Sequence, residues 1–316
     1  MFGCFLYLGL QVSMLTADHF ERVLGMWKYA DQLPCLVLLG DFWQLPVVDK
    51  KAARCDESQA WRPHVQVLPF HEQVRCKCPK LQKKLTVLRT SQPSMKQLKK
   101  IVRGHQAWRS NEPTAYDMLD LFRKHPETTV VTCSRRACAQ ANNLAIQTFF
   151  EHRHKQPLGE GLFDYESNLE NYGEGNQLKP GRLQGAPVEI YKDMRVFLTK
   201  NLDKEHDFVN GMSGTVEAFD PRSKCLEVLT RTGQRLAVHM VTSELEDGRK
   251  VSCFPVRVGY ACTVPKVQGM TLPHVTVWLD SVCCRAAAYV ALSRVATDED
   301  YLVAGKLCPK HFVPAQ

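Results

Sequence analysis

Between Val258 and Val303 the chain gathers side chains suited to holding a phosphate. Thr263, Lys266, Gln268, Gly269 and Thr271 bring hydroxyls, an ammonium, a carboxamide and bare backbone into one short turn, the groups that nucleotide and phosphodiester contacts use. Downstream, the apolar run from Ala286 to Leu292 ends on Ser293-Arg294. An arginine at the end of an apolar helix either closes a structural ion pair or reaches a phosphate across a cleft with its planar, permanently charged fork. A second polar ledge, Gly40-Asp41-Phe42-Trp43-Gln44-Leu45-Pro46, follows the continuous apolar run Cys35–Leu39. Such runs are strands buried on both faces of a parallel sheet. Ligands bind beyond the carboxyl ends of these strands, which turns Asp41 and Gln44 toward a crevice.

These segments resemble motifs of superfamily 1 DNA helicases, in particular the Pif-type (petite integration frequency), RecD-like branch. The family reads Thr-Val-His-Lys-Ser-Gln-Gly-Met-Thr-Leu where this chain has Thr263 to Leu272, and Tyr-Val-Ala-Leu-Ser-Arg where it has Tyr289 to Arg294. Pro265 and Val267 replace the family's histidine and serine, removing two polar side chains from a strand-contacting loop. The ledge at Gly40 matches the family's Gly-Asp-Phe-x-Gln-Leu-Pro, and Arg75, in Glu72-Gln73-Val74-Arg75, matches its nucleotide-reaching arginine. The resemblance implies ATP and Mg2+ between two domains, with Gln44 sensing the terminal phosphate and Arg75 and Arg294 stabilising its charge. It implies Asp41 and Gly269 beside the nucleotide, and single-stranded DNA against Phe42, Trp43, Thr263, Lys266 and Gln268. It further implies 5′-to-3′ movement, work in DNA repair, recombination and telomere maintenance, and a nuclear or mitochondrial address.

Two parts of the family's machinery do not occur in these residues. The family's magnesium-holding Asp-Glu corresponds to Leu10-Gln11, and no Gly-x-x-x-x-Gly-Lys-Ser/Thr loop is found. Positioning and metal charge carry most of phosphoryl transfer. The expectation is therefore a shortened helicase with negligible ATPase activity alone. The alternative is a non-catalytic nucleic-acid-binding remnant, since Helitron-type mobile elements carry helicases of this kind.

Composition agrees with a globular partner of polyanions: 316 residues, 44% apolar, 23% charged, net charge +8 and pI near 8.8. Among 13 cysteines the close pairs Cys76/Cys78, Cys133/Cys138 and Cys283/Cys284 lack zinc spacing, which favours reduced thiols in an intracellular chain and no metal site. His152 and His154 have no cysteine neighbours and read as solvated. Met1–Leu10 is apolar but shorter than the ~20 residues of a membrane span, so it reads as a core strand and no membrane contact is expected. From Leu68 to His105, lysines and arginines alternate with leucines as in amphipathic helices with a cationic face; the lysines are candidates for phosphate contact.

The fold expected is α/β, with RecA-like (P-loop NTPase type) parallel-sheet domains: an incomplete first over 1–110, and a second over 111–205 and 257–316. A small β-barrel insertion is expected over 206–256. Val12–Thr16 opens a helix with Leu15, Phe20, Val23 and Leu24 on one side and Thr16 or Asp18 as cap. Thr128–Cys133 reads as a strand, Ser134–Arg136 as a turn, Ala137–Phe150 as a helix and 151–187 as a loop. Five short strands follow, Met194–Thr199, Gly214–Phe219, Cys225–Arg231, Arg235–Met240 and Val251–Val256. Asn201, Asn210 and Gly211 resemble the family's Asn-Gly turn into the insertion.

Overall fold

The structure is a computed structural model that describes residues 5–29, 35–49, 51–172, 179, 183–202, 208–245, 248–281 and 284–316. The first four residues of the expected opening strand, and Cys283, lie outside them. Two compact units result. One is formed by Met1–Ile101, Val282–Asp298 and Cys308–Gln316, the other by Val102–Ser281 and Glu299–Leu307.

In the first unit, β1 (Phe5–Gln11) precedes α1 (Ala17–Lys28) and pairs in parallel with β2 (Cys35–Leu39), with Phe5 opposite Cys35 and Gln11 opposite Leu39. Helix α1 starts at Ala17 rather than Val12, because the Thr16 hydroxyl accepts from the His19 N–H and caps it. Val12–Met14 is a single 3-10 turn instead. Phe20 and Leu24 bury against Val12, Leu15, Cys55 and Trp61, the last on α2 (Trp61–His64). Proline starts α3 (Pro79–Thr90), where its missing N–H is harmless, and Leu81, Leu85 and Leu88 form its buried stripe. Helix α4 (Met95–Ile101) follows.

The second unit opens with α5 (Ala115–Lys124), β3 (Thr128–Thr132) and α6 (Arg135–Phe149). The expected turn at Ser134–Arg136 is the start of α6, since the Ser134 hydroxyl accepts from the Ala137 N–H at 3.0 Å. The expected loop over 151–187 contains β4 (Gly159–Phe163), antiparallel to β5 (Ala186–Ile190). Glycine hid this strand: a Cβ on Gly161 would sit 2.9 Å from the Phe254 ring, so the position needs closeness rather than β propensity. His152 and His154 are exposed.

Next come β6 (Arg195–Leu198), β7 (Ser213–Asp220), β8 (Cys225–Thr230), β9 (Arg235–His239), β10 (Val241–Glu244), β11 (Lys250–Cys253) and β12 (Val256–Val258). Their main sheet is antiparallel, in the order β12-β6-β7-β8-β9, and draws in β6 from before 206–256 and β12 from its last residue onward; β10 pairs with β11 alone. Among the described residues no pairing joins β9 to β12, so the pairings seen do not close a barrel. The entry turn is present: the Asn210 N–H donates to Asn201 Oδ1 at 2.9 Å, and Gly211 takes φ +92°.

The parallel sheet is completed by β13 (Ala261–Thr263), which leads into α7 (Val264–Val267), and by β14 (His274–Trp278). The chain then returns to the first unit as α8 (Ala287–Leu292), which packs on α3, and to the second as β15 (Tyr301–Ala304). Sheet order is β13-β3-β14-β15, and β3, β13 and β14 are buried at every position. That explains their uninterrupted apolar and threonine-rich sequences. No helix among the described residues is long and apolar enough to cross a membrane.

At the start of β14, His274 stacks on His125 with ring centroids 4.2 Å apart, and its Nδ1 shares a hydrogen bond with Thr128 Oγ1 at 2.8 Å. Burial pushes His274 down to about 4, and repulsion from His125 adds to it. A histidine depressed in the folded state is protonated first on unfolding, so stability is lost as pH falls from its ordinary value near 6.5 toward 4. Thermal melts should show a steeper acid loss in the native chain than in His274→Asn. Equal slopes would remove His274 as the cause.

Candidate functional site

Parallel pairing brings the exits of β1 and β2 to the same side, and Gly40 lets them lie together. A Cβ there would meet Val12 Cγ2 at 2.6 Å and the Val12 nitrogen at 2.9 Å. The chain then turns on Asp41. Its carbonyl accepts from the Gln44 N–H at 2.9 Å, Oδ1 accepts from the Trp43 N–H at 3.0 Å, and Oδ2 lies 3.5 Å from Gln44 Nε2. This ledge forms one wall of a cavity of about 780 Å³ in the first unit, and Arg75, Arg89, Tyr289, Ser293 and Arg294 line it too.

Three of the residues expected to meet phosphate, Gln44, Arg75 and Arg294, therefore line one cavity. Arg294, expected at a helix end, follows the last turn of α8, with its N–H on the Ala291 carbonyl. Only 2% of Arg294 is exposed. Its Nε donates to the Val290 carbonyl at 2.7 Å and its Nη2 to Ser293 Oγ at 2.6 Å, while Arg75 Nη1 donates to the Ser293 carbonyl at 3.2 Å. No described carboxylate lies within ion-pair distance of Arg294. Burial pushes its guanidinium down to about 10, the neighbouring Arg75 charge acts in the same direction, and Tyr289 and Asp41 pull the other way.

Sequence reading left Arg89 on a cationic helix face, but the structure puts it in the cavity. From the end of α3 it donates to Asp41 Oδ1 and to the Tyr289 hydroxyl, both at 3.0 Å, lying 5.8 Å from the Trp43 ring and 5.6 Å from that of Tyr289. Its place directly after the buried Leu88 was the available signal. Lys80 and Lys84, candidates for phosphate, instead bind the fully buried Asp298 at 2.5 and 2.7 Å. Two lysines one turn apart converge on one carboxylate, tying α3 to the segment that follows Arg294.

Phe42 and Trp43 also line the cavity; Phe42 packs edge-on against Trp61 with the Arg54 guanidinium 5.0 Å from its ring. Thr263, Lys266, Gln268 and Gly269 belong to the second unit, and none lines this cavity. Thr263 ends β13 and is 9% exposed, Lys266 is exposed, Gln268 is half-buried, and Gly269 turns the chain at φ +84°. Pro265 occupies the first turn of α7, where proline is tolerated, and Val267 is fully buried, so the replacement of serine serves packing.

For a hard divalent cation the residues do not fit. Leu10-Gln11 stands at the exit of β1, Asp41 is held by Arg89, and no three His, Cys, Asp or Glu residues converge among the described residues. A phosphate-bearing anion does suit the cavity's guanidiniums.

No family model matches the chain. Rat (Rattus norvegicus) ATP-dependent DNA helicase PIF1 is 25% identical over 299 residues, 90% of this chain and 44% of that protein. The Danio rerio PIF1 is 26% identical over 319 residues, 92% of this chain and again 44% of the relative. The homologues of this chain are Pif1 helicases. A shorter match, 33% over 127 residues, links it to the Trypanosoma brucei helicase PIF6. This chain thus spans less than half the length of the rat and fish Pif1 relatives. A Bacteroides Pif1 helicase in complex with ADP-AlF3 and single-stranded DNA superposes with TM-score 0.68 at 18% identity, covering 96% of this chain and 71% of that one. Pif1 from Candida albicans does so with TM-score 0.66 at 19% identity, covering 96% and 73%. The fold is α/β of the RecA-like type.

Gly40→Ala should destabilise the first unit by about 1–3 kcal/mol through overpacking against Val12. Denaturant titration followed by tryptophan fluorescence measures it, and an unchanged midpoint would mean that the exits of β1 and β2 have slack.

Proposed function

We propose that this chain is the phosphate-sensing and strand-contacting part of a Pif1-type DNA helicase, and that alone it binds nucleotide and single-stranded DNA without appreciable ATP hydrolysis. The observation that carries this reading is Arg294: a guanidinium 2% exposed, held by neutral oxygens, on the wall shared with Gln44 and Arg75. A buried charge of this kind calls for an anion. A nucleotide phosphate meets that need, with Gln44 offering a carboxamide and Arg75 a second guanidinium. Hydrolysis is not expected, because Leu10 and Gln11 provide no carboxylate at the exit of β1. In the second unit the exposed Lys266 beside Thr263 and Gln268, and separately in the first unit Phe42 and Trp43, are candidate contacts to DNA, and the net charge of +8 favours that partner. The 5′-to-3′ translocation, the roles in repair, recombination and telomere maintenance, and a nuclear or mitochondrial location belong to this proposal for the whole protein.

Calorimetric titration with ADP tests the site. Arg294→Met should weaken binding at least about tenfold by removing a charge-assisted contact. It should leave the melting temperature unchanged or raised, because an uncompensated buried charge is replaced by an apolar side chain. Undiminished affinity in that variant rules out Arg294 as a phosphate ligand. With Mg2+, ATP and single-stranded DNA, the native chain should release no phosphate above background. Its affinity for DNA should fall steeply with added salt, and a flat response excludes backbone contacts.

A further inference from the structure

Resting on that nucleotide reading, we propose that the cavity binds nucleotide phosphates without a divalent cation, the guanidiniums of Arg75 and Arg294 supplying the positive charge. Three observations converge on this. First, Val12, the residue that follows β1, lines the cavity, and the two residues before it in the chain are Leu10 and Gln11, neither of them a carboxylate. A carboxamide oxygen is a neutral donor, and Mg2+ gives up its hydration shell reluctantly even for carboxylates.

Second, of the two carboxylates that line the cavity, Asp41 is already engaged. Arg89 donates to its Oδ1 at 3.0 Å, the same oxygen accepts from the Trp43 N–H, and Tyr289 fixes Arg89 from the other side. A metal recruiting Asp41 must displace a guanidinium and unpin the turn that carries Gln44. The other carboxylate, Glu72, sits exposed on the rim segment, and no cluster of three ligand residues includes it.

Third, the charge on the walls is positive. Three arginines, 75, 89 and 294, face two carboxylates, 41 and 72, an excess of one positive charge in the lining. Arg294 has already been driven down to about 10 by burial and by Arg75, so a further cation nearby raises the cost. A free nucleotide carries more negative charge than its magnesium complex and gains more from this field.

Titration of the intact chain with ADP and with ATP, once in excess EDTA and once in excess Mg2+, decides the matter. Affinity in EDTA should equal or exceed that in Mg2+. Tighter binding in Mg2+ overturns the inference while leaving the nucleotide reading intact; no binding in either buffer removes both. Arg89→Met adds a second arm. With Asp41 uncovered, binding in EDTA should weaken by roughly an order of magnitude and become tighter on adding Mg2+. Should the variant prove unstable in thermal melts, the two-buffer comparison on the native chain stands alone.

Discussion

Transferring a guanidinium out of water costs several kcal/mol unless an opposite charge meets it, and the first unit accepts that cost at Arg294. The cause is local. Helix α8 is buried at all six positions, and among the described residues the guanidinium after its capping Ser293 donates to the backbone of its own last turn and to one hydroxyl. The packing that orders Arg294 therefore also leaves it with no carboxylate at ion-pair distance among the described residues, Asp41 acting on it only from farther away.

Helix α3 makes that arrangement possible by giving different jobs to different faces. Leu81, Leu85 and Leu88 bury one stripe, and Lys80 and Lys84 reach Asp298 beyond α8. Arg89 spans from Asp41 to Tyr289. The ion pairs are not decoration on a solvated face, because Asp298 is wholly buried and removal of either lysine weakens the compensation of a carboxylate in a low-dielectric setting. Position is what they provide: α8 is short, and a six-residue helix does not hold itself in place without tertiary contacts.

Much of this was legible in the residues. The runs at Cys35–Leu39 and Thr128–Cys133 became β2 and β3, the Gly-Asp-Phe-x-Gln ledge landed at a strand exit, and three separated residues, Gln44, Arg75 and Arg294, reached one cavity. What escaped was set by tertiary packing. Asp298 looks like one of several surface acids in Thr297-Asp298-Glu299-Asp300 until two lysines are seen to enclose it. Arg89 reads as one cation among many because periodicity places it on a helix face without saying what faces it. The strand at 159–163 was masked by glycines whose purpose is room for Phe254 and Phe219. Sheet closure depends on pairing between distant strands, which short-range patterns do not encode.

The departures from the resembled motifs are mutually consistent. Just before Val12, which lines the cavity, Leu10 and Gln11 stand where the resembled family has two carboxylates, while Arg75, Arg89 and Arg294 remain in the lining. Carboxylates there without a metal between them would add negative charge near Arg75 and Arg294, and neutral residues do not. In the second unit, Val267 fills the core where a hydroxyl would need a buried partner, and Pro265 restricts the first turn of α7, so the loop around Lys266 trades side-chain hydrogen bonds for a fixed backbone. Both changes replace polar groups with apolar ones at positions that the packing fixes.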